Sequence, residues 1–162
     1  MKYKRTAVAV LASSALGIGV ITNWEGFSPV VYKDIVGVPT IGYGTTQGVK
    51  PGDTMTEGEA RTRLVKEVED EYGAAVKRCV NVPLYQSEYD AFVSLTYNIG
   101  ATAFCRSTLV RKVNVEEYSE ACRQILRWNR AGGKVVRGLV NRRKDEYVLC
   151  TKDHKYVLPK TT

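Results

Sequence analysis

Trp24-Glu25-Gly26-Phe27-Ser28-Pro29-Val30-Val31-Tyr32-Lys33-Asp34, continued by Ile35-Val36-Gly37-Val38-Pro39-Thr40-Ile41-Gly42-Tyr43-Gly44-Thr45, is the stretch around which the chain is organised. It sets one carboxylate beside two aromatic rings, a second nine positions later in a turn-rich run of β-branched residues, and a hydroxyl six positions beyond that. Cleaving a glycosidic bond takes two carboxyl groups in unlike surroundings, one keeping its proton for the leaving oxygen and the other staying ionised. Trp24 and Phe27 would desolvate the Glu25 carboxyl and favour its protonated form, whereas Asp34, beside Lys33 and the Gly37 turn, should stay ionised. Thr40 has no neighbouring base to make it a nucleophile, but a hydroxyl that both donates and accepts can hold a water. Spacing alone would equally suit two solvated surface carboxylates. The surrounding motif decides between these readings.

The full pattern, Glu25-x8-Asp34-x5-Thr40 followed by Ile41-Gly42-Tyr43-Gly44-Thr45, resembles the catalytic region of the phage lysozymes, the endolysins that cut murein. The resemblance continues through Phe92 to Gly100, Phe104 to Leu109, Arg127-Trp128, Ala131 to Lys134, Gly138-Leu139 and Arg142-Arg143, and covers roughly residues 23 to 150. It implies an α+β, mostly helical, lysozyme-like fold, in which a small β-sheet lobe is joined by a long helix to a helical lobe. It also implies Glu25 as general acid, Asp34 as the carboxylate that supports charge or activates water, and Thr40 as the water-positioning residue. Tyr43, Tyr97 and Asn98 would line the substrate cleft. The implied substrate is peptidoglycan, cut at the β-1,4 bond between N-acetylmuramic acid and N-acetylglucosamine by a monomer that uses no metal or cofactor. Tyr97 reads as readily as a core residue, and Asn98 as a helix C-cap ahead of Gly100. Two other activities remain open: a membrane-tethered basic module that binds an anionic cell-wall polymer without cutting it, and a lytic transglycosylase, which needs the Glu but no second carboxylate.

Length and charge fit this picture. With 162 residues the chain is one domain or two small lobes sharing a core. Residues 1–100 carry ten Lys/Arg against eleven Asp/Glu, and residues 101–162 carry fourteen against six, so the net charge of +7 is C-terminal. Such a half suits a polyanionic partner. No zinc-finger spacing, RNP-like run or basic heptad accompanies it, which argues against nucleic acid.

The N-terminus pairs a basic leader, Lys2, Lys4 and Arg5, with an uncharged run from Thr6 to Trp24. Its nineteen residues approach the length of a bilayer span, but Ala, Gly, Ser and Thr make its membrane affinity weak. A cleaved signal peptide with small residues at Ser13-Ser14-Ala15, a permanent anchor and a temporary anchor all suit it. The temporary anchor resembles the signal-anchor-release endolysins, and we take residues 1–24 as such a segment and residues 25–162 as the catalytic domain. The enzyme would then begin at the host inner membrane, with its N-terminus cytoplasmic and its catalytic domain periplasmic, and end soluble in the periplasm. Tethering would pin Glu25 against the headgroups and hold the enzyme inactive. Residues 1–78 contain no cysteine, so thiol exchange from the anchor is excluded as the switch.

Cys79, Cys105, Cys122 and Cys150 lack a C-x-x-C or a Cys/His ligand cluster. They are either four buried thiols of a cytosolic protein or two disulfides of an exported one. Export favours disulfides. Among the three pairings we favour Cys79 with Cys105, which flank the unit from Pro83 to Phe104, and Cys122 with Cys150, on helices whose apolar faces should meet.

Local pattern supplies the rest. Val30 to Thr46 reads as a hairpin or three-stranded sheet. Thr56-x-x-Glu59 is a capping box opening a long helix to about residue 78. From Pro83 onward the pattern is helical throughout, over 85–99, 107–113, 116–128 and 139–149.

Overall fold

The computed structural model describes residues 4–34 and 36–156, so Lys2 of the leader, Ile35 and the last six residues lie outside the described part. The apolar N-terminal run is not one helix. A 3-10 turn over Val8–Val10 leads to α1, Ala15–Glu25, whose N-cap Ser14 accepts from the Gly17 N–H. Among the described residues no helix is long and apolar enough to cross a membrane.

β1 (Ser28–Lys33) and β2 (Pro39–Gly42) form an antiparallel hairpin in which Tyr32 faces Thr40, with an irregularity between Ser28 and Tyr32. The third strand is reduced to a single bridge between Val30 and Thr54. α2 (Glu57–Glu67) starts at the expected capping box, with Thr56 and Glu59 satisfying each other's backbone N–H groups. It runs through a π turn over Val68–Gly73 into α3, Ala74–Cys79. Gly73 has a reason to be there: a Cβ would stand 2.7 Å from the Tyr89 hydroxyl, so only glycine lets this linking helix lie so close to its neighbour.

That neighbour is α4, Gln86–Ile99, which packs mainly against α1 and against α8, Arg137–Thr151. Residues 87–96 of α4 are all buried. A helix hidden on every side belongs at the centre of a core, and Tyr89, Phe92 and Leu95 meet Ile21, Phe104, Leu109 and Ile125 there. α4 also buries Glu88, Asp90, Ser94 and Thr96, and each of these polar groups must find a partner. α5 (Ala101–Cys105), α6 (Thr108–Asn114) and α7 (Tyr118–Gln124) complete the helical lobe.

The helical pattern fails at one place. β3 (Arg130–Ala131) and β4 (Lys134–Val135) pair across Gly132-Gly133, whose φ values of +55° and +75° make the primed turn that two glycines favour. Two-residue strands are too short to show an alternation in sequence.

Both disulfides form as paired above: Cys79–Cys105 with Cα atoms 5.4 Å apart, and Cys122–Cys150 at 5.8 Å. The first ties the linking helix to α5, and the second ties α7 to α8. Loops of this size restrict the unfolded chain by roughly 3 kcal/mol. The double variant Cys122→Ser/Cys150→Ser should therefore melt about 6–12 °C lower by calorimetry. An unchanged Tm would remove the bond from the stability account.

Candidate functional site

Glu25 ends α1, where Gly26 caps the helix at φ +71° and its N–H reaches the Thr22 carbonyl. The carboxylate turns toward α8 and accepts a 2.7 Å bond from Arg142 Nη1. Arg142 also donates through Nε to Glu146 Oε1 at 3.2 Å, and Ser94 of α4 donates to the same oxygen at 2.8 Å. Arg143 Nε lies 3.0 Å from Glu146 Oε2 but off the line of a hydrogen bond, while its Nη2 donates to Asn98 Oδ1 at 2.8 Å. Charges thus alternate from Glu25 through Arg142 and Glu146 to Arg143, and Asn98 closes the row. Burial raises the Glu146 carboxyl above its ordinary range while the two arginines and Ser94 pull it back. Burial also brings the Arg143 guanidinium down to about 10.

The two aromatic neighbours expected to shelter Glu25 are engaged elsewhere, and its partner is the Arg142 guanidinium. The Trp24 indole donates to Asp145 at 3.1 Å, and Phe27 rests on Tyr43 with ring centroids 5.5 Å apart. The Glu25 charge is felt at Tyr97 and Tyr72. Burial holds the Tyr97 hydroxyl well above its usual range and Glu25 adds to the shift, while Tyr72 is raised to about 12 by burial, then by Glu71, Glu67 and Glu25. Both hydroxyls remain donors at every working pH.

Asp34 closes the β1–β2 turn. Its Oδ1 accepts from the backbone N–H groups of Val36 (2.9 Å) and Val38 (2.8 Å), and Gly37 supplies the left-handed φ of +85° that the turn requires. That leaves Oδ2 for another partner. Thr40, buried on β2, spends its one proton on the Val38 carbonyl at 3.0 Å, so toward a water its oxygen can only accept. Asp34 and Thr40 thus share the carbonyl and amide of Val38 and are held as one unit by five residues of hairpin.

The three expected cleft residues separate. Tyr43 is buried, with its hydroxyl donating to Glu57 at 2.8 Å, and serves as a strut between the hairpin and α2. Tyr97 donates to the Tyr43 carbonyl at 2.9 Å and packs edge-on against Tyr72 at 4.9 Å, so it joins the two lobes beside Glu25. Asn98 is exposed and tied to Arg143, and the cap of α4 is Gly100 at φ +89°. Arg142 and Ser94 entered the sequence reading only as part of the family pattern, without a role, and Glu146 not at all. Their signal was a pair of arginines and a glutamate at i and i+4 on one helix, opposite a serine in a buried one. Among the described residues no three or more His, Cys, Asp or Glu side chains converge as metal ligands would.

The family model for phage lysozyme matches residues 22–146. The SAR-endolysin of bacteriophage PS34 is 38% identical over 149 residues, spanning 89% of this chain and 86% of that one. Among solved structures, the endolysin of Escherichia coli O157:H7 phage FAHEc1 superposes with a TM-score of 0.81 at 34% identity, covering 97% of this chain and all of that one. The fold also matches the active form of the P1 phage endolysin Lyz with a TM-score of 0.80 at 21% identity, covering 95% of this chain and 98% of that one. Against the secreted inactive form of Lyz the score is 0.58 at 18% identity, over 90% and 99%.

Proposed function

The chain belongs to the phage lysozyme family, and from that premise we propose that it is an endolysin that hydrolyses the β-1,4 bond between N-acetylmuramic acid and N-acetylglucosamine. Glu25 is the general acid. Arg142 holds Oε1, which leaves Oε2 as the oxygen that hands a proton to the glycosidic oxygen. A water donates one hydrogen to Thr40 Oγ1 and the other to Asp34 Oδ2, leaving its lone pair for the anomeric carbon on the face opposite Glu25. Asp34 takes the water's proton as the bond forms, which is the inverting arrangement.

The observation that carries hydrolysis over transglycosylation is the Asp34–Thr40 pair, an acceptor-only hydroxyl beside a carboxylate with one oxygen unspent. Closure by the substrate's own 6-hydroxyl would use neither. The test is a turbidity assay on outer-membrane-permeabilised Gram-negative cells, followed by mass analysis of the products. Reducing muramic ends are expected, and 1,6-anhydro ends would overturn the reading. Binding without clearing would support the non-cutting alternative.

Residues 1–24 act, in this reading, as a temporary anchor that exports residues 25–162 to the periplasmic face of the host inner membrane and withholds activity until release. Its support is the uncharged Thr6–Trp24 run behind a basic leader and the name given to the PS34 relative. In the folded chain this same run lies against α4 with Glu25 at its end, which is the arrangement expected after release.

A further inference from the structure

Glu146 has no solvent to hold its charge. Its side chain is fully buried, at i+4 from Arg142 and i+3 from Arg143 on α8, so both guanidiniums fall on its face of the helix. Arg142 Nε donates to Oε1 at 3.2 Å, Ser94 of α4 donates to the same oxygen at 2.8 Å, and Arg143 Nε stands 3.0 Å from Oε2. Yet Arg142 Nη2 and Arg143 Nη1 meet no acceptor among the described residues. A buried cluster so incompletely hydrogen-bonded adds little stability over apolar side chains of the same volume. What it does add is an electrostatic setting for the carboxylate at its open end. Of the four charged side chains Glu25 alone is appreciably exposed, at 24% against 6% or less for the others.

A guanidinium beside a general acid presents a difficulty. An opposite charge in contact favours the ionised carboxylate, and an ionised Glu25 has no proton to give. Arg142 placed against Glu25 alone would work against the step proposed above. Glu146 divides that charge, because it lies on the Nε edge of the same planar group whose Nη1 faces Glu25. With Arg143 counted, two carboxylates face two guanidiniums. The other groups that feel Glu25 are the neutral hydroxyls of Tyr97 on α4 and Tyr72 on the π turn, and Glu67, which acts on both rings, is acidic. Asp145 is turned away to the Trp24 indole.

We propose that Glu146 is a positioning residue for the general acid: by holding the Nε edge of Arg142 it aims Nη1 at Glu25 Oε1 and offsets the charge that would otherwise keep Glu25 ionised. The proposal rests on the reading of Glu25 as proton donor. Arg142 then orients the carboxyl without stripping its proton, and Arg143, tied to Asn98 near the end of α4, supplies the positive charge that keeps Glu146 ionised. Removing the Glu146 charge leaves two guanidiniums against one carboxylate. That favours ionised Glu25, so the alkaline limb of the rate profile, where the acid has lost its proton, moves to lower pH.

The rate at low concentrations of soluble murein glycan strands is followed against pH, at constant ionic strength, for the wild type and three variants. Glu146→Gln removes the charge and keeps the Ser94 and Arg142 bonds through its carbonyl oxygen. Its alkaline limb is expected about one pH unit below that of the wild type, as for a unit charge removed from a partly solvated site. Glu146→Asp keeps the charge but falls short of its partners, so it is expected to lower the maximal rate and leave the limb in place. Glu146→Gln/Arg143→Gln, with one guanidinium again facing one carboxylate, should recover most of the shift. A role in packing alone would lower the rates and move no limb. An unmoved limb in a Glu146→Gln protein that melts above the assay temperature refutes the proposal. Carbon-13 NMR of glutamate carboxyls in the wild type decides the matter without a substitution: Glu146 is expected ionised at the pH of maximal rate, and a protonated Glu146 there refutes the proposal as well. Neither outcome touches Glu25 itself. If Glu25→Gln keeps its activity, the acid assignment fails and the positioning role fails with it.

Discussion

Replacing Glu25 with Gln should lower lytic turnover by about 10²–10⁴-fold, the usual contribution of a positioned proton donor. The amide keeps the shape and still offers Oε1 to Arg142 Nη1, so the row of charges on α8 stays assembled. What disappears is the proton bound for the glycosidic oxygen. The melting temperature should move little, because the pair is partly open to solvent, with the Glu25 side chain 24% exposed. Turbidity clearing by purified Glu25→Gln at more than about a tenth of the wild-type rate would dismiss Glu25 as the acid.

Asp34→Asn should be comparably severe, by about 10²–10⁴-fold, for a different reason. Its Oδ1 accepts the Val36 and Val38 N–H groups, and the asparagine carbonyl oxygen reproduces both bonds, so the hairpin keeps its turn. Oδ2 becomes an NH₂ group, which donates to a water instead of taking its proton. Asp34→Ala would confuse the two roles by releasing both amides. If Asp34→Asn turns over like the wild type while Asp34→Ala does not, Asp34 is a turn residue and the water is activated elsewhere. The two carboxamide variants separate further by chemical rescue. Restoring a general base with added azide or formate should rescue Asp34→Asn and leave Glu25→Gln dead.

The sequence disclosed those features whose cause is local. The Thr56–Glu59 capping box, the hairpin from its β-branched run, and the helices from their apolar spacing all depend on residues within a turn or two of each other. The disulfide pairing followed from the order of those helices. Glu25, Asp34 and Thr40 were legible only as a family pattern, since nothing in their spacing fixes a distance. The partners of Glu25 were not legible, because Arg142 lies 117 positions away. Nor was the docking of the N-terminal run, where Arg5 and Glu88 are 83 positions apart. A sign of it was present nonetheless: Glu88 and Asp90 stand two positions apart in the apolar-spaced run 85–99, too close to share one solvated face. The 130–135 hairpin was missed because Gly132-Gly133 sits between strands too short to alternate.

Gly26 joins α1, which packs on the helical lobe, to the hairpin, which packs on α2. In the proposed mechanism the proton donor Glu25 and the Asp34–Thr40 pair that holds the water therefore stand on opposite sides of Gly26, which has open space where a Cβ would stand. Under the proposed mechanism a glycan strand must touch both lobes to be cut, so contacts to its outer sugars can serve the reacting bond. A fragment that fills one lobe alone occupies the enzyme without being cut. Chain length in the sacculus thus acts as a licence for chemistry, and the short debris of lysis is expected to bind without being cut further.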